Sequence, residues 1–374
     1  MKNLLSKAGL LFLALTLCFF SACEDDDDPP VSIDPAITSL RFLNEVVIAP
    51  DTIDGSVVGG LSGIDRNDDT YYLISDDGNT PTRFYTASFD VTNTGIQNFS
   101  LDTQVEFLQE DGTSFPSGAV DPEAIRYVAD GGGYLVWTSE GSINNGVDPS
   151  VRTAMPDGSS RAVFDVPANF RADATDGRGP RHNGVMEGIS LSADGNGFWL
   201  GMELPLEQDG PAPTTTDTDS PVRITYMSKS GEAGRQFAYE LDPVVREGGF
   251  TVNGLVELLE YDTDKFLVLE RSFSTGYTDG GNDVKIYQVD ASGATDVSDI
   301  DALADATYTK VTKTLLFDFE TVRSQLTQGV VDNIEGMTFG PELPNGNRSL
   351  ILVADDNFSA FGTQYSQLIA LEVE

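Results

Sequence analysis

A short motif recurs five times along this chain, and it constrains the fold more than any other feature of the sequence. Each copy has a tripeptide resembling Glu-Gly-Ile, then a turn, then an apolar run that ends in an acidic residue. The copies begin at residues 62, 123, 187, 253 and 335, so they lie 61, 64, 66 and 82 residues apart. A regular repeat of strand patterns without long helical patterns indicates one structural unit per copy.

Repeats of this kind predict an all-β protein, a β-propeller with five or six blades. The chain contains 37 Gly, 21 Phe and 12 Tyr, which suits many turns and many strands. The spacing exceeds the usual figure of about 40–50 residues per blade, so we expect long loops. The composition places such loops at residues 142–160, 207–221 and 272–283, and short helices around Leu303 or around residues 319–326. A sixth copy would lie in the wide last interval or in residues 37–48.

The charge of the chain excludes one large class of function. The sequence has 60 acidic and 22 basic residues, a formal net charge of −38 at pH 7. A protein without a basic surface cannot neutralise nucleic acid phosphates, so nucleic acid binding is excluded. An anionic substrate would also be repelled unless bound metal ions reverse the local sign.

The amino terminus has the pattern of an export signal. Lys2 and Lys7 precede an apolar run at residues 10–20, which is too short for a membrane span. Residues 20–23 resemble a bacterial lipobox with Cys23 as the lipidated residue, and the acidic run at 24–28 resembles the surface-export signal of Bacteroidetes lipoproteins. An ordinary cleaved signal peptide is the alternative.

These segments predict three parts of the chain. Residues 1–22 form a lipoprotein signal peptide, residues 23–36 an acidic, proline-containing tether, and residues 37–374 the propeller domain. We therefore expect a monomeric exported lipoprotein, held by its lipid at the outer membrane or cell surface of a Gram-negative bacterium.

The acidic residues of the repeats predict a metal site. The innermost strand of a blade lines the central channel, so a residue repeated once per blade should lie at one height around the axis. Carboxylates brought so close together either take up protons or bind a cation, and calcium accepts six to eight oxygen ligands in irregular geometry. The alternative is that these acids cap strand ends by accepting backbone N–H bonds, without a metal. The motif acids are Glu123, Glu187 and Glu335, and those after the following strand are Asp76, Asp77, Glu140, Glu203, Glu270, Asp355 and Asp356.

Four segments of the chain resemble a known family. They are RHNGVMEGI at 181–189, GMELPL at 201–206, DNIEGM at 332–337 and ADDNF at 354–358. Together they are similar to the signature of the phytase-like family named for the esterase-like activity of phytase, and the likeness spans about residues 38–374. The resemblance implies a β-propeller related in pattern to calcium-dependent phytases, with bound calcium and hydrolysis of phosphoric esters.

From the repeats and this resemblance we assign candidate roles. The predicted catalytic residues are Glu187, His182 as an acid, and Arg181 as a contact for an anionic substrate. The predicted substrate-binding residues are Arg83, Arg271 and Asn183. The predicted calcium ligands are Glu123, Glu187, Glu203, Asp332, Glu335 and Asp355.

Two functions of different classes fit these residues. The first is a metal-dependent esterase or phosphoesterase that acts on a small anionic or ester substrate. The second is a non-catalytic surface propeller that binds a ligand, glycan or protein partner and uses calcium for rigidity. Two or more arginines facing the acidic channel would favour phosphate chemistry. Hydrolysis of a glycoside by a carboxylate pair also remains open on the residues alone.

Overall fold

The apolar runs of the five repeats form strands that are buried along nearly their whole length. The computed structural model describes residues 37–172, 177–216, 219–360 and 362–374. The predicted signal peptide, tether and Cys23 lie outside these residues. The strands of the described residues are β1 (Leu40–Val47), β2 (Thr52–Ile53), β3 (Ser56–Val57), β4 (Leu61–Asn67), β5 (Thr70–Ser75), β6 (Arg83–Thr92), β7 (Gly95–Glu106), β8 (Pro122–Val128), β9 (Tyr134–Ser139), β10 (Ser150–Ala154), β11 (Ser160–Phe164), β12 (Met186–Leu191), β13 (Gly197–Met202), β14 (Pro221–Ser228), β15 (Ala233–Glu240), β16 (Thr251–Asp262), β17 (Lys265–Ser274), β18 (Asn282–Asp290), β19 (Thr312–Asp318), β20 (Asn333–Glu342), β21 (Arg348–Asp355) and β22 (Gln367–Val373).

Helical structure in the described residues is limited to short 3₁₀ turns. None of these helices is long and apolar enough to cross a membrane. The predicted helix at Leu303 is absent, and the prediction for 319–326 is met only by two 3₁₀ turns. The 3₁₀ helices are Asp130–Gly132, Ile143–Asn145, Ala168–Phe170, Phe319–Thr321, Arg323–Gln325, Thr327–Gly329 and Asn357–Ser359.

The described residues form five four-stranded antiparallel sheets, which are the blades of a propeller. Blade 1 is β4–β7, blade 2 is β8–β11, blade 3 is β12–β15, blade 4 is β16–β19, and blade 5 is β20, β21, β22 and β1. The innermost strands β4, β8, β12, β16 and β20 contact one another in cyclic order, and β20 contacts β4. The ring is therefore closed with five blades, which settles the sequence prediction of five or six.

The two ends of the propeller meet in blade 5. Strand β1 pairs antiparallel with β22, from Leu40 opposite Val373 to Val47 opposite Gln367. Residues 37–48 therefore supply the outer strand of the last blade rather than a sixth repeat. Strand β1 covers the edge of β22, and its hydrogen bonds to β22 tie the segment that leads into blade 1 to the last blade.

The repeated motif forms a β-bulge in every innermost strand. The pairing between the first and second strands of each blade shifts by one residue at the motif. Gly188 is required there because a Cβ would lie 2.9 Å from the Cα of Glu257 on the next blade. Gly336 likewise lies against Gly63, where a Cβ would stand 2.8 Å from the Gly63 Cα. The motif glycines thus permit the close approach of neighbouring inner strands.

Blade 4 follows a different register from the one that the sequence suggested. Its bulge lies between Leu255 and Glu257, so Val256 occupies the place of the motif acid, three residues after Asn253. Leu255 pairs with Glu270, so Arg271 stands where other blades have the acid after the second strand. In the structure the blade 4 copy of the motif therefore begins at Val256 and not at Asn253, where the sequence analysis placed it.

The loop predictions are partly wrong. Residues 142–160 contain the buried strand β10 and the start of β11. Residues 272–283 contain the last residues of β17 and the first residues of β18. Residues 207–216 and 219–220 lie outside the helices and strands, as predicted, and β14 begins at Pro221.

A buried polar network joins the inner strands further along the axis. The Arg126 guanidinium lies 2.5 Å from the Glu257 carboxylate, and both side chains are buried. Asp65 accepts hydrogen bonds from the Tyr127 amide at 2.6 Å and the Thr338 hydroxyl at 2.7 Å. These contacts link the inner strands of blades 1, 2, 4 and 5 and hold the ring rigid beside the acidic motifs.

Candidate cation and substrate site

A cavity of about 240 Å³ lies where the five blades meet. Its lining includes Asp76 from blade 1, Glu123 from blade 2, Glu187 from blade 3, Arg271 from blade 4 and Glu335 from blade 5. A cavity with walls from every blade lies on the axis of the ring.

Two rows of side chains supply the charged lining. The first row consists of the residues at the bulge of each innermost strand. The second row consists of the residue at the end of the next strand of each blade, or just after it. Because the blades repeat the same pairing, each row lies at one level around the axis. The first row holds Glu123, Glu187 and Glu335, and the second holds Asp76, Glu140, Glu203 and Asp355, with Arg271 completing it in blade 4.

Burial disfavours the ionised form of these carboxyl groups. Burial raises the pKa of Glu203 to about 8 and that of Glu140 to about 7. For Glu123 and Glu187, burial and then the neighbouring carboxylates raise the pKa well above its ordinary value. Burial similarly raises the pKa of Asp355 well above normal. The site therefore holds protons at neutral pH unless a cation replaces them.

Two of these acids, Glu123 and Glu140, form a triad with the spacing of a metal site together with Asp121, which is outside the cavity lining. One carboxylate oxygen each from Asp121, Glu123 and Glu140 lies within 4.8 Å of the others. Burial raises the pKa of Asp121 to about 6. Glu140 also accepts a hydrogen bond from the Val185 amide at 2.5 Å, which ties blade 2 to blade 3. Asp121 was not among the predicted ligands, although it stands only two residues before Glu123.

Arg271 is the one cation among the described residues that line the cavity. Its Nη2 donates to Glu335 at 2.8 Å and to Glu203 at 3.4 Å. Burial by itself would lower the pKa of Arg271, but Glu335, Glu203 and Glu187 raise it. One guanidinium thus faces seven carboxyl groups in the described lining.

The structure brings most of the predicted site residues together. Glu123, Glu187, Glu203, Glu335 and Asp355, which were predicted as metal ligands, all line the cavity. The predicted substrate contacts Arg271 and Asn183 line it as well.

The remaining predicted site residues lie outside the cavity lining. Asp332 is fully buried and accepts hydrogen bonds from the amides of Asn333 and Tyr365 and from the side chain of Gln364. His182 is exposed. These contacts make Asp332 an organiser of the backbone beside the cavity.

The predicted arginines 83 and 181 are engaged elsewhere. Arg181 donates to the carbonyls of Pro205 at 3.1 Å and Gly210 at 2.9 Å, which fastens the loop after blade 3's second strand. Arg83 is buried and binds Asp77 at 2.9 Å and the Tyr85 hydroxyl at 2.7 Å.

Three of the acids read from the repeats act as caps and ion-pair partners instead. Asp77 pairs with Arg83, and Asp356 accepts hydrogen bonds from the amides of Gly60 and Phe358. Glu270 accepts from the Asn253 side chain and pairs with Lys313 at 2.7 Å. These contacts agree with the alternative given in the sequence analysis, in which such acids have a structural role and bind no metal.

Sequence reasoning missed the uncharged part of the lining. These residues share amide or apolar side chains and come from loops and strand ends of different blades, so no local pattern marks them. They are Phe250, Val252, Phe273, Asn282, Asn333, Asn357 and Gln364.

Comparison with known proteins identifies a family for this chain. A family model described as "Phytase-like: Esterase-like activity of phytase" matches residues 56–358. No curated protein matches the sequence.

Solved structures with a similar chain path include an endo-arabinase from Bacteroides thetaiotaomicron. It has 15% sequence identity and a TM-score of 0.44, and the match covers 83% of this chain and 93% of that one. A GH43 β-1,3-galactosidase with galactodeoxynojirimycin has 11% identity and a TM-score of 0.46, and the match covers 87% of this chain and 95% of that one.

Proposed function

The chain belongs to the phytase-like family, and we propose that its central cavity binds calcium and hydrolyses an ester of a small substrate. The observation that carries this proposal is the composition of the cavity. Seven carboxyl groups, six of them buried, surround a single guanidinium at the axis of the ring. Such an excess of buried acids favours a divalent cation.

The donor atoms of the cavity suit a hard cation. The described lining offers carboxylate and amide oxygens and contains no histidine or cysteine, which favours calcium over zinc. Asp121, Glu123 and Glu140 are the residues that would hold the ion, since their oxygens already lie close together. They also lie away from Arg271, whose contacts are on blades 3 and 5.

The chain's own residues can supply the remaining chemistry of ester hydrolysis. A bound calcium ion would polarise an ester oxygen and lower the pKa of a water molecule. Arg271, held by Glu203 and Glu335, can donate to a developing oxyanion. Glu203, with a pKa of about 8, carries a proton at neutral pH that it can give to the leaving group. The pKa of Glu187 is raised, so in its ionised form it is a stronger base than an ordinary glutamate.

A non-catalytic function is the second candidate, and one observation favours it. A site for a phosphate ester is expected to present two or more arginines, whereas Arg271 is the one cation in the described lining and is already paired. In this alternative calcium only makes the ring rigid, and the cavity binds a ligand without converting it.

We also propose that the protein is exported and lipid-anchored through Cys23, on the strength of the sequence pattern of residues 1–28. Metabolic labelling with a radioactive fatty acid should label the wild type. The label should be absent from Cys23→Ala, and equal labelling of the two proteins would contradict the anchor.

Thermal melts in calcium and in chelator test the metal before any substrate is chosen. Calcium should raise the melting temperature of the wild type. Glu123→Gln and Glu140→Gln, which each remove a ligand of the triad, should lower it in calcium but matter less in chelator. Glu207→Gln, at an exposed glutamate outside the cavity lining, is the matched control.

Turnover assays then separate the two candidate functions. The substrates are p-nitrophenyl phosphate, p-nitrophenyl acetate and phytate, each with calcium and with chelator. Calcium-dependent turnover supports the hydrolase. A calcium-dependent melt with no turnover favours the non-catalytic propeller, and identical melts in calcium and chelator reject the metal site.

A further inference from the structure

Blade 4 breaks the pattern of acids around the cavity. Its two axial positions hold Val256 and Arg271 where the other blades carry mainly carboxyl groups. Its other lining residues are Phe250, Phe273 and Asn282, together with Val252. Blades 1, 2, 3 and 5 therefore supply all the acids of the lining, and blade 4 supplies an apolar and aromatic wall with Asn282 and Arg271.

Three buried polar atoms on lining residues have no hydrogen-bond partner within the described part of the chain. They are Asn282 Oδ1, Gln364 Oε1 and Arg271 Nε. Asn282 is only 1% exposed, and its Nδ2 donates to the Gly280 carbonyl at 3.2 Å, which fixes the orientation of the amide. The Gln364 amide is fixed in the same way, because its Nε2 donates to Asp332 at 3.1 Å.

These atoms specify what a ligand must offer. Two of them are acceptors and one is a donor, so the ligand must both donate and accept hydrogen bonds. A metal ion satisfies only acceptors, and a phosphate dianion satisfies only donors. Hydroxyl groups do both, and they can also donate to the carboxylates that the other four blades supply. Leaving a buried polar group unpaired costs about 1–3 kcal/mol, so such a ligand gains on binding.

The rim of the cavity offers an apolar platform. Phe250 is 60% exposed although it lines the cavity, and its ring centroid lies 6.3 Å from that of Phe273. An exposed aromatic face beside amides suits the C–H face of a saturated ring that carries hydroxyls. The cavity, at about 240 Å³, lies below the range of about 300–1,000 Å³ typical of drug-sized ligands, which suits a single ring.

We infer that the cavity binds one polyhydroxylated ring, a monosaccharide or cyclitol unit, with its face on Phe250 and its hydroxyls on Asn282 and Gln364. The ring carries at most one anionic group, which Arg271 binds, because the described lining holds no second basic side chain to pair with another. That the bound ring carries an ester bond rests on the proposed function. That the cavity binds a ring does not rest on it.

Calorimetric titration of the mature protein tests the inference. The ring probes are D-glucose, D-galactose, D-mannose and myo-inositol, and the contrasting probes are inorganic phosphate and phytate, each in calcium and in chelator. At least one ring probe should bind saturably and more tightly than phosphate or phytate. Tighter binding of a sugar or of myo-inositol then shows whether the ring is a monosaccharide or a cyclitol.

Variants at the rim locate the binding. Phe250→Ala should weaken binding of that probe about tenfold, which is about 1.4 kcal/mol, and Phe250→Trp should restore it. Tyr277→Ala is the control, since Tyr277 is 43% exposed but does not line the cavity. Phe250 is exposed, so its replacement leaves the core intact.

Three results overturn the inference: no ring probe binds, phytate or phosphate binds best, or Phe250→Ala binds as the wild type does. Failure of the proposed function looks different. A ring probe that still binds in chelator, with no effect of calcium on the melt, removes the metal site and keeps the ring site.

Discussion

Glu203→Gln should make the calcium-free protein more stable at alkaline pH. Glu203 is buried, and burial raises its pKa from 4.5 to about 8. Below pH 4.5 the carboxyl is protonated in both the folded and the unfolded chain and contributes no pH dependence. Between pH 4.5 and about 8 the folded state retains a proton that the unfolded state has lost, so stability falls as pH rises.

The size of the effect follows from that pKa. A rise from 4.5 to about 8 corresponds to roughly 5 kcal/mol of destabilisation above pH 8, at about 1.4 kcal/mol per pH unit. The contact with Arg271 lowers the pKa of Glu203 and is already contained in the value of about 8. The variant does not titrate, so it should match the wild type at pH 4 and be more stable by roughly 5 kcal/mol at pH 9.

Urea denaturation in chelator, from pH 4 to pH 9, measures this difference. The free energy of unfolding of the wild type should fall more steeply with pH than that of Glu203→Gln. Glu207→Gln should follow the wild type, since Glu207 is an exposed glutamate four residues away. If Glu203→Gln and the wild type lose stability in parallel across the range, Glu203 is ionised throughout and the account of the cavity fails.

Three further changes test the framework around the site. Gly188→Ala should destabilise the protein by about 1–3 kcal/mol in urea, because the new methyl would stand 2.9 Å from the Glu257 Cα, whereas Gly293→Ala, with nothing within 4 Å, should be neutral. Arg126→Met should cost about 3–5 kcal/mol, because it leaves Glu257 buried without its charged partner, and Arg126→Met with Glu257→Leu should recover most of this loss. Deleting β1 should open the ring and lower the melting temperature sharply; an unchanged melt would show that blade 5 is complete with three strands.

The repeated motif was enough to predict the convergence of the acids. In a propeller every blade has the same strand order around one axis, so equal positions in the repeats become neighbours in space. For this reason Glu123, Glu187 and Glu335 could be placed together although 212 residues separate the first from the last. The apolar runs likewise predicted the buried second strands of the blades.

Only the tertiary structure decided the register of blade 4 and the closure of the ring. The tripeptide at Asn253 resembles the motif, but strand pairing places Val256 and Arg271 on the axis instead. The pairing of β1 with β22 joins residues more than 300 positions apart and leaves no local signal. The raised pKa values and the uncharged part of the lining depend on burial and on loops from different blades meeting in space. A sequence shows which side chains repeat, whereas charge, hydrogen bonding and access depend on which of them the folded chain brings together.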